Sequence, residues 1–220
     1  MRVCVYVEGP SDKAAMEALL RPLIEQQRQA GIAIDFFETP DGDRKASVLT
    51  KVPQKAVNIL ANDPSAIVVA LPDLYPGNKA FPHQTVAELI VGIRSNFEAA
   101  LQARGLAEDA RIQERFKVFC FKHDLEALLL AAQRELATRL GAKSLPVTWR
   151  VPVEDQDQNQ PPKRIVEGLF ADRGKRYRDT VDAPIILGAC QYQEIADRCP
   201  QCFRPFVEFL AGLGTGDVPV

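Results

Sequence analysis

Four short runs of β-branched and aromatic residues, each closed by turn residues, organise the first half of the chain. Residues 2–7 lead into Glu8-Gly9-Pro10, and residues 32–38 alternate before Thr39-Pro40-Asp41-Gly42-Asp43. Ile67-Val68-Val69-Ala70-Leu71 ends at Pro72-Asp73, and residues 116–121 run on to His123 and Asp124. Short apolar runs bounded by Gly and Pro read as buried strands. They predict strands near 2–7, 32–38, 66–71 and 116–121.

Between these runs the apolar period lengthens. Met16, Leu19, Leu20, Leu23 and Ile24 stand at i, i+3, i+4, i+7 and i+8, an amphipathic helix that Ser11 would cap and that ends near Gly31. A helix over 44–61 should be disturbed at Pro53. Val86, Leu89, Ile90, Ile93, Phe97, Ala100 and Leu101 mark a long helix, and Leu125, Leu128, Leu129 and Ala132 begin another. Strands and helices thus alternate, and the strands are apolar on both faces. The prediction is an α/β fold with a mostly parallel central sheet flanked by helices.

Beyond residue 143 the pattern weakens. Residues 144–162 form a polar connector with Pro146, Pro152, Glu154, Asp155, Asp157, Pro161 and Pro162. A short helix over 165–170, a basic run and a terminal helix bearing Phe203, Phe206, Val207 and Leu210 on one face follow. The expected organisation is an α/β core over 1–143 with a helical extension, 144–220, packed on it.

Composition removes several function classes. A net charge of −2 excludes a polycation, although a local basic patch remains open. The apolar stretches 67–71 and 128–132 fall far short of the ~20 residues of a spanning helix, so no membrane role is expected. The opening run is too short for a secretory signal. Five Cys, an odd number, suit a reducing compartment, and the expected location is cytoplasmic.

Ligands of open α/β sheets bind beyond the carboxyl ends of the strands. Strand one delivers Glu8 there, strand three Asp73, and strand four His123, Asp124 and Glu126, while Asp12 sits one helical turn past Glu8. Carboxylates that converge repel unless a cation lies among them. Mg²⁺ or Mn²⁺, which prefer carboxylate oxygen and water, are the natural candidates. Each acid taken singly is better read as a helix-start charge that favours the macrodipole. Glu8 and Asp73 together, each just after a buried strand, favour the metal.

Val7-Glu8-Gly9-Pro10-Ser11-Asp12 resembles the first signature of the TOPRIM domain, and Val68-Val69-Ala70-Leu71-Pro72-Asp73 its second. More narrowly, the chain is similar to a TOPRIM-like bacterial family labelled DUF4276. Asp73-Leu74-Tyr75 leading to Phe81-Pro82, His123-Asp124-Leu125-Glu126-Ala127-Leu128-Leu129, Pro161-Pro162-Lys163-Arg164-Ile165 and Cys199-Pro200 carry that likeness in order. The resemblance implies a TOPRIM-like, Rossmann-like core and metal-dependent phosphodiester cleavage of DNA or RNA. It implies Glu8 as metal ligand or acid/base, Asp73 as principal ligand and Asp12 as a supporting one. A metal there would polarise the phosphate and lower the pKa of a bound water. The usual second motif is Asp-x-Asp, and here its third position is Tyr75; Asp124 or Glu126 are the candidates for the missing oxygens. The resemblance further implies a role in defence against phage, beside an ATPase of the ABC or AAA type. OLD-type nucleases place a late lysine by the scissile phosphate, and Lys163 is the first position to try for it.

Residues 163–178 hold Lys163, Arg164, Arg173, Lys175, Arg176 and Arg178 against Glu167 and Asp172, a surplus of four positive charges on a chain of net −2. A phosphate backbone would be drawn to such a patch, although solvated surface charge accounts for it equally well. Cys199-Pro200-Gln201-Cys202 is a lone CxxC without a second pair, a poor zinc site. Cys4 and Cys120 lie in strand runs as buried thiols. His123 fits packing or orientation, and His83 a loop. Neither a Walker lysine motif nor GxGxxG occurs, so any ATP hydrolysis belongs to a partner. Two readings remain: a nuclease, for which Glu8 and Asp73 speak, and a degenerate interaction or regulatory subunit, for which Tyr75 speaks. Oligomerisation stays open.

Overall fold

Four parallel strands carry the fold. The computed structural model describes residues 1–39, 43–156 and 160–214. Pro40, Asp41 and Gly42 of the expected turn and Asp157 of the connector lie outside them. β1 (Arg2–Val7), β2 (Ala33–Glu38), β3 (Ala66–Ala70) and β4 (Phe116–Val118) form one sheet in the order β2-β1-β3-β4. Every pairing is parallel, with Val3 opposite Ile34 on one side and Ile67 on the other. The chain steps from β1 outward to β2, then returns past β1 to β3 and β4. Its winding reverses between β1 and β3, the point at which open α/β sheets leave a crevice.

Proline punctuates the helices. Gly9, not Ser11, holds the N-cap of α1 (Pro10–Leu19), because Pro10 fits the first helical position, where its missing N–H costs nothing. The single helix expected to reach Gly31 is broken at Leu20. Pro22 has no N–H for the carbonyl of Ala18, so a new helix, α2 (Arg21–Gln29), begins there. α3 (Arg44–Ala46) continues through a π-helical stretch, Ser47–Lys51, into α4 (Val52–Asn62). Pro53 cannot bond the Leu49 carbonyl, which accepts instead from Asn96 Nδ2 at 3.0 Å. Asn96 belongs to α5 (Val86–Gln102), whose start is a reciprocal cap. Glu88 N–H donates to Thr85 Oγ1 and Thr85 N–H to Glu88 Oε2, at 3.2 and 3.0 Å.

α6 (Ala110–Glu114) precedes β4, and α7 (Glu126–Ala131) and α8 (Gln133–Leu140) follow it. Gly141, at φ 74°, ends α8 in the left-handed conformation. The extension comprises α9 (Pro162–Ala171), α10 (Asp179–Leu187), α11 (Tyr192–Arg198) and α12 (Phe203–Ala211). α10 and α11 are absent from the expectation: α10 carries Pro184 inside it, and α11 is only seven residues long.

The sheet is buried on both faces. Val3, Val5 and Val7 pack with Met16, Leu19 and Leu23, and also with Leu128, Phe170, Ile186, Phe203 and Phe206. One core therefore joins the sheet to the C-terminal helices. On the other face Cys4, Tyr6, Val68 and Ala70 pack with Val57, Leu60, Ile93, Phe97 and Phe116. Among the described residues no helix is long and apolar enough to cross a membrane.

Candidate functional site

The reversal point of the sheet brings Glu8 and Asp73 together. Asp73 N–H donates to Glu8 Oε1 at 3.1 Å. The Asp73 loop is stitched to the chain beyond β4: Phe121 N–H donates to Pro72 O and Leu74 N–H to Phe121 O, both at 2.9 Å. Tyr75 N–H then reaches His123 O at 2.7 Å. Thr39 Oγ1 holds the Glu8 carbonyl at 2.8 Å. Asp12, in the first turn of α1, is buried, and its Oδ2 accepts from Gly9 N–H at 3.0 Å.

Asp124 and Glu126 enter from the start of α7. Asp124 Oδ2 accepts from Lys163 N–H at 3.3 Å, at the N-terminus of α9. Glu126 Oε1 accepts from Tyr177 Oη–H at 3.1 Å and lies 3.7 Å from Lys163 Nζ. All five acids line one cleft of about 400 Å³, together with Arg44, Tyr75, Lys163 and Arg164.

Burial dominates the electrostatics. It lifts Glu8 to about 7 against the pull of Lys45, and Glu126 to about 7 with Asp124 adding to the rise. Asp124 rises to about 6 through burial, partly offset by the Lys163 N–H. Asp12 rises by burial against its bond from Gly9, and Asp73 rises well above the carboxylate range through burial, with Asp12 and Glu8 reinforcing it. Two ammonium groups oppose this charge. Lys45 is buried, donates to Leu74 O at 3.1 Å and faces Glu8 and Asp73; burial draws its pKa down. Lys163 loses by burial but gains more from Glu126 and Asp179, so its pKa ends raised. Asp73 Oδ1 and Asp124 Oδ1 are sealed from solvent without a hydrogen-bond partner. Buried carboxyl oxygens in that state are accommodated by protonation, which the raised pKa values favour, or by a cation.

The basic segment is divided between two adjoining clefts. Lys163 and Arg164 join the acidic cleft, where Lys163 is held by Asp179 at 3.2 Å and Arg164 by Glu167 at 2.7 Å. Lys175, Arg176 and Arg178 line an adjoining cleft of about 710 Å³ that shares Lys163 and Glu167 with the first. Lys175 Nζ is bound there by the carbonyls of Arg139 and Leu140 at 3.2 and 3.1 Å. Arg173 is exposed and lines neither cleft. Sequence reasoning missed Lys45, Tyr177 and Asp179. Lys45 did leave a signal, since Val48, Leu49 and Val52 follow it at i+3, i+4 and i+7 and place it on the apolar face of its helix.

Elsewhere, Cys199 and Cys202 are buried, with Cys202 Sγ 3.9 Å from Cys120 Sγ. His123 is buried, and His83 Nδ1 lies 3.0 Å from Phe81 O. Among the described residues no three His, Cys, Asp or Glu side chains are spaced to hold one metal ion between them.

A family model described as a domain of unknown function, DUF4276, matches residues 7–211, from the end of β1 to the end of α12. The chain belongs to that family. The DUF4276 match spans every element that lines the acidic cleft. No curated protein and no solved structure matches the chain.

Proposed function

We propose that this DUF4276 chain is a metal-dependent nuclease of the TOPRIM type, hydrolysing phosphodiesters of DNA or RNA. The observation that carries the reading is the pair of buried, unpartnered oxygens, Asp73 Oδ1 and Asp124 Oδ1, in a cleft lined by six carboxylates at the reversal point of a parallel sheet. The donor set fits Mg²⁺ or Mn²⁺. Among the described residues no three protein ligands gather round one point, so one or two carboxylates would hold the ion and leave its other positions to water and substrate phosphate, as Mg²⁺ sites commonly do. Glu8 and Asp73 are the first candidates to hold it, with Asp12, Asp124 and Glu126 around them. When bound, the ion supplies charge neutralisation at the phosphate and a water of lowered pKa.

The chain's own residues supply the rest. Glu8 Oε1 is fixed by Asp73 N–H, which leaves Oε2 either to reach the ion or to take a proton from the attacking water. The water oxygen bonds to phosphorus, the phosphorus–ester oxygen bond breaks, and the leaving alkoxide takes up a proton from solvent. Lys163 and Arg164 bind phosphate oxygens, and Lys175, Arg176 and Arg178 hold the strand further along. We further place the enzyme in the cytoplasm, as the effector of an anti-phage system licensed by an ATPase of the ABC or AAA type.

A second reading, a regulatory or docking subunit without chemistry, is favoured by the hold of Asp179 on Lys163 and by Tyr75 at the place of a second acid. One experiment separates the two. Wild-type and Asp73→Asn chains are co-expressed with the ATPase, and phage restriction and cell toxicity are read. The nuclease reading expects loss of both in the variant while nucleic-acid binding persists. Full activity of Asp73→Asn overturns it in favour of the docking subunit.

A further inference from the structure

We propose that Tyr75 is a stacking platform for an unpaired base, so that the cleft takes single-stranded nucleic acid, or an unpaired stretch, in preference to continuous duplex. The inference rests on the nuclease reading of the same cleft and names its substrate class. Among the described residues the large apolar side chains left exposed are Met1, Tyr75, Val91, Val147, Val151 and Ile185. Tyr75, 47% exposed, is the one that carries a ring and the one that lines the acidic cleft.

The backbone beneath that ring is held by hydrogen bonds. Tyr75 N–H is bonded to His123 O, and Leu74 on its N-terminal side is bonded to Phe121 O. Further along, the same loop is anchored by Phe81, which packs against α5 where Gly92 leaves room; a Cβ at Gly92 would overlap the Phe81 ring. A fixed backbone that presents an exposed aromatic ring loses little entropy on binding, since only two side-chain torsions remain to be ordered.

The surroundings select the ligand. Lys163 and Arg164 stand in the same cleft to meet phosphate, and the ring offers a π-face beside them. Every base has a complementary face, but in a duplex both faces are already stacked on neighbouring pairs, and freeing one costs a few kcal/mol. A strand with free bases meets the ring without that cost, and stacking of this kind does not depend on sequence. On this account Tyr75 is a substrate contact rather than a decayed metal ligand.

The test uses the full chain with Asp73→Asn, which leaves substrate uncut, and labelled DNA and RNA oligonucleotides of equal length as single strands and as duplexes. Tyr75→Ala, Tyr75→Leu, Tyr75→Phe and Tyr75→Trp are compared by fluorescence anisotropy, with 2-aminopurine in the strand to report stacking. The single strand should bind at least about tenfold tighter than duplex. Tyr75→Ala and Tyr75→Leu should each weaken single-strand binding roughly five- to a hundredfold, leave duplex binding unchanged and abolish the 2-aminopurine quench. Tyr75→Phe and Tyr75→Trp should retain all three properties. The leucine variant, of similar bulk and apolar, separates loss of the ring from loss of the fold. Equal binding of strand and duplex, or a leucine variant equal to the parent, overturns the proposal while the nuclease reading stands. Failure of every oligonucleotide to bind at low salt overturns both, and the exposed ring is then a protein contact.

Discussion

The molecule buries carboxylates in its C-terminal extension and in its cleft, and treats the two sets differently. In the connector, Glu154 is buried with both oxygens occupied: Oε1 accepts from Cys202 N–H and Phe203 N–H at 2.8 and 3.1 Å, and Oε2 from Gln201 N–H at 2.6 Å. Three donors at the start of α12 thus converge on one anion. Asp182 in α10 is equally saturated, by Arg139 Nε and Nη2 at 2.8 and 2.6 Å and by Arg178 N–H at 2.7 Å. In the cleft, by contrast, Glu8, Asp12, Asp73, Asp124 and Glu126 share too few donors, and Asp73 and Asp124 each hide an oxygen with none. Saturated buried charge holds a fold together; unsaturated buried charge is stability given up for a ligand.

The comparison breaks most readily at Glu154. Glu154→Ala strands the buried N–H groups of Cys202 and Phe203 and the part-buried one of Gln201, and should cost about 3 kcal/mol, a fall of about 6–12 °C in melting temperature. Urea denaturation checks it, and a loss under about 1 kcal/mol would remove the contrast. Asp73→Asn should do the opposite. With no divalent ion present it removes repulsion and should raise the melting temperature by about 2–4 °C, while the stabilisation that millimolar Mn²⁺ gives the wild type disappears.

The pH dependence sharpens the contrast. Glu8 and Glu126 rise to about 7 and Asp124 to about 6, so folding favours their protonated forms. That stability is complete below the unfolded values near 4 and is lost as pH climbs through 6 to 7. In EDTA the melting temperature should therefore fall between pH 5 and 8. Glu8→Gln should flatten the fall, and Mn²⁺ should reduce it. The smallest effect on stability belongs to the second cleft. Reversing the charges of Arg176 and Arg178 should leave the melting temperature within about 2 °C, yet weaken nucleic-acid binding at every sequence and lower its salt slope by roughly one per lost phosphate contact.

What the chain discloses before folding follows the range of the interactions. The four strands were legible because each is a buried run between turn residues. Glu8 and Asp73 were legible because they stand at the ends of two such runs. β4 is shorter than its apolar run, ending at Val118, although Asp73 and Phe121 still pair beyond it. Pro22 was present in the sequence, and the break it imposes follows from its missing N–H. The partners were not legible. Nothing local says that Glu154 will meet the start of α12, that Asp179 will hold Lys163, or that Asn96 will take the carbonyl Pro53 cannot serve. Each contact is set by packing between elements distant in sequence. Lys45 lies between these cases, since its helical spacing showed burial but not the carboxylates it faces.

The claim that the cleft is a divalent-cation site is tested most directly by anomalous diffraction from crystals soaked in millimolar Mn²⁺. The account predicts a manganese peak between Glu8 and Asp73, with coordinating oxygens at about 2.1–2.2 Å, that vanishes in Asp73→Asn. A cleft without a peak in well-ordered wild-type crystals would contradict it.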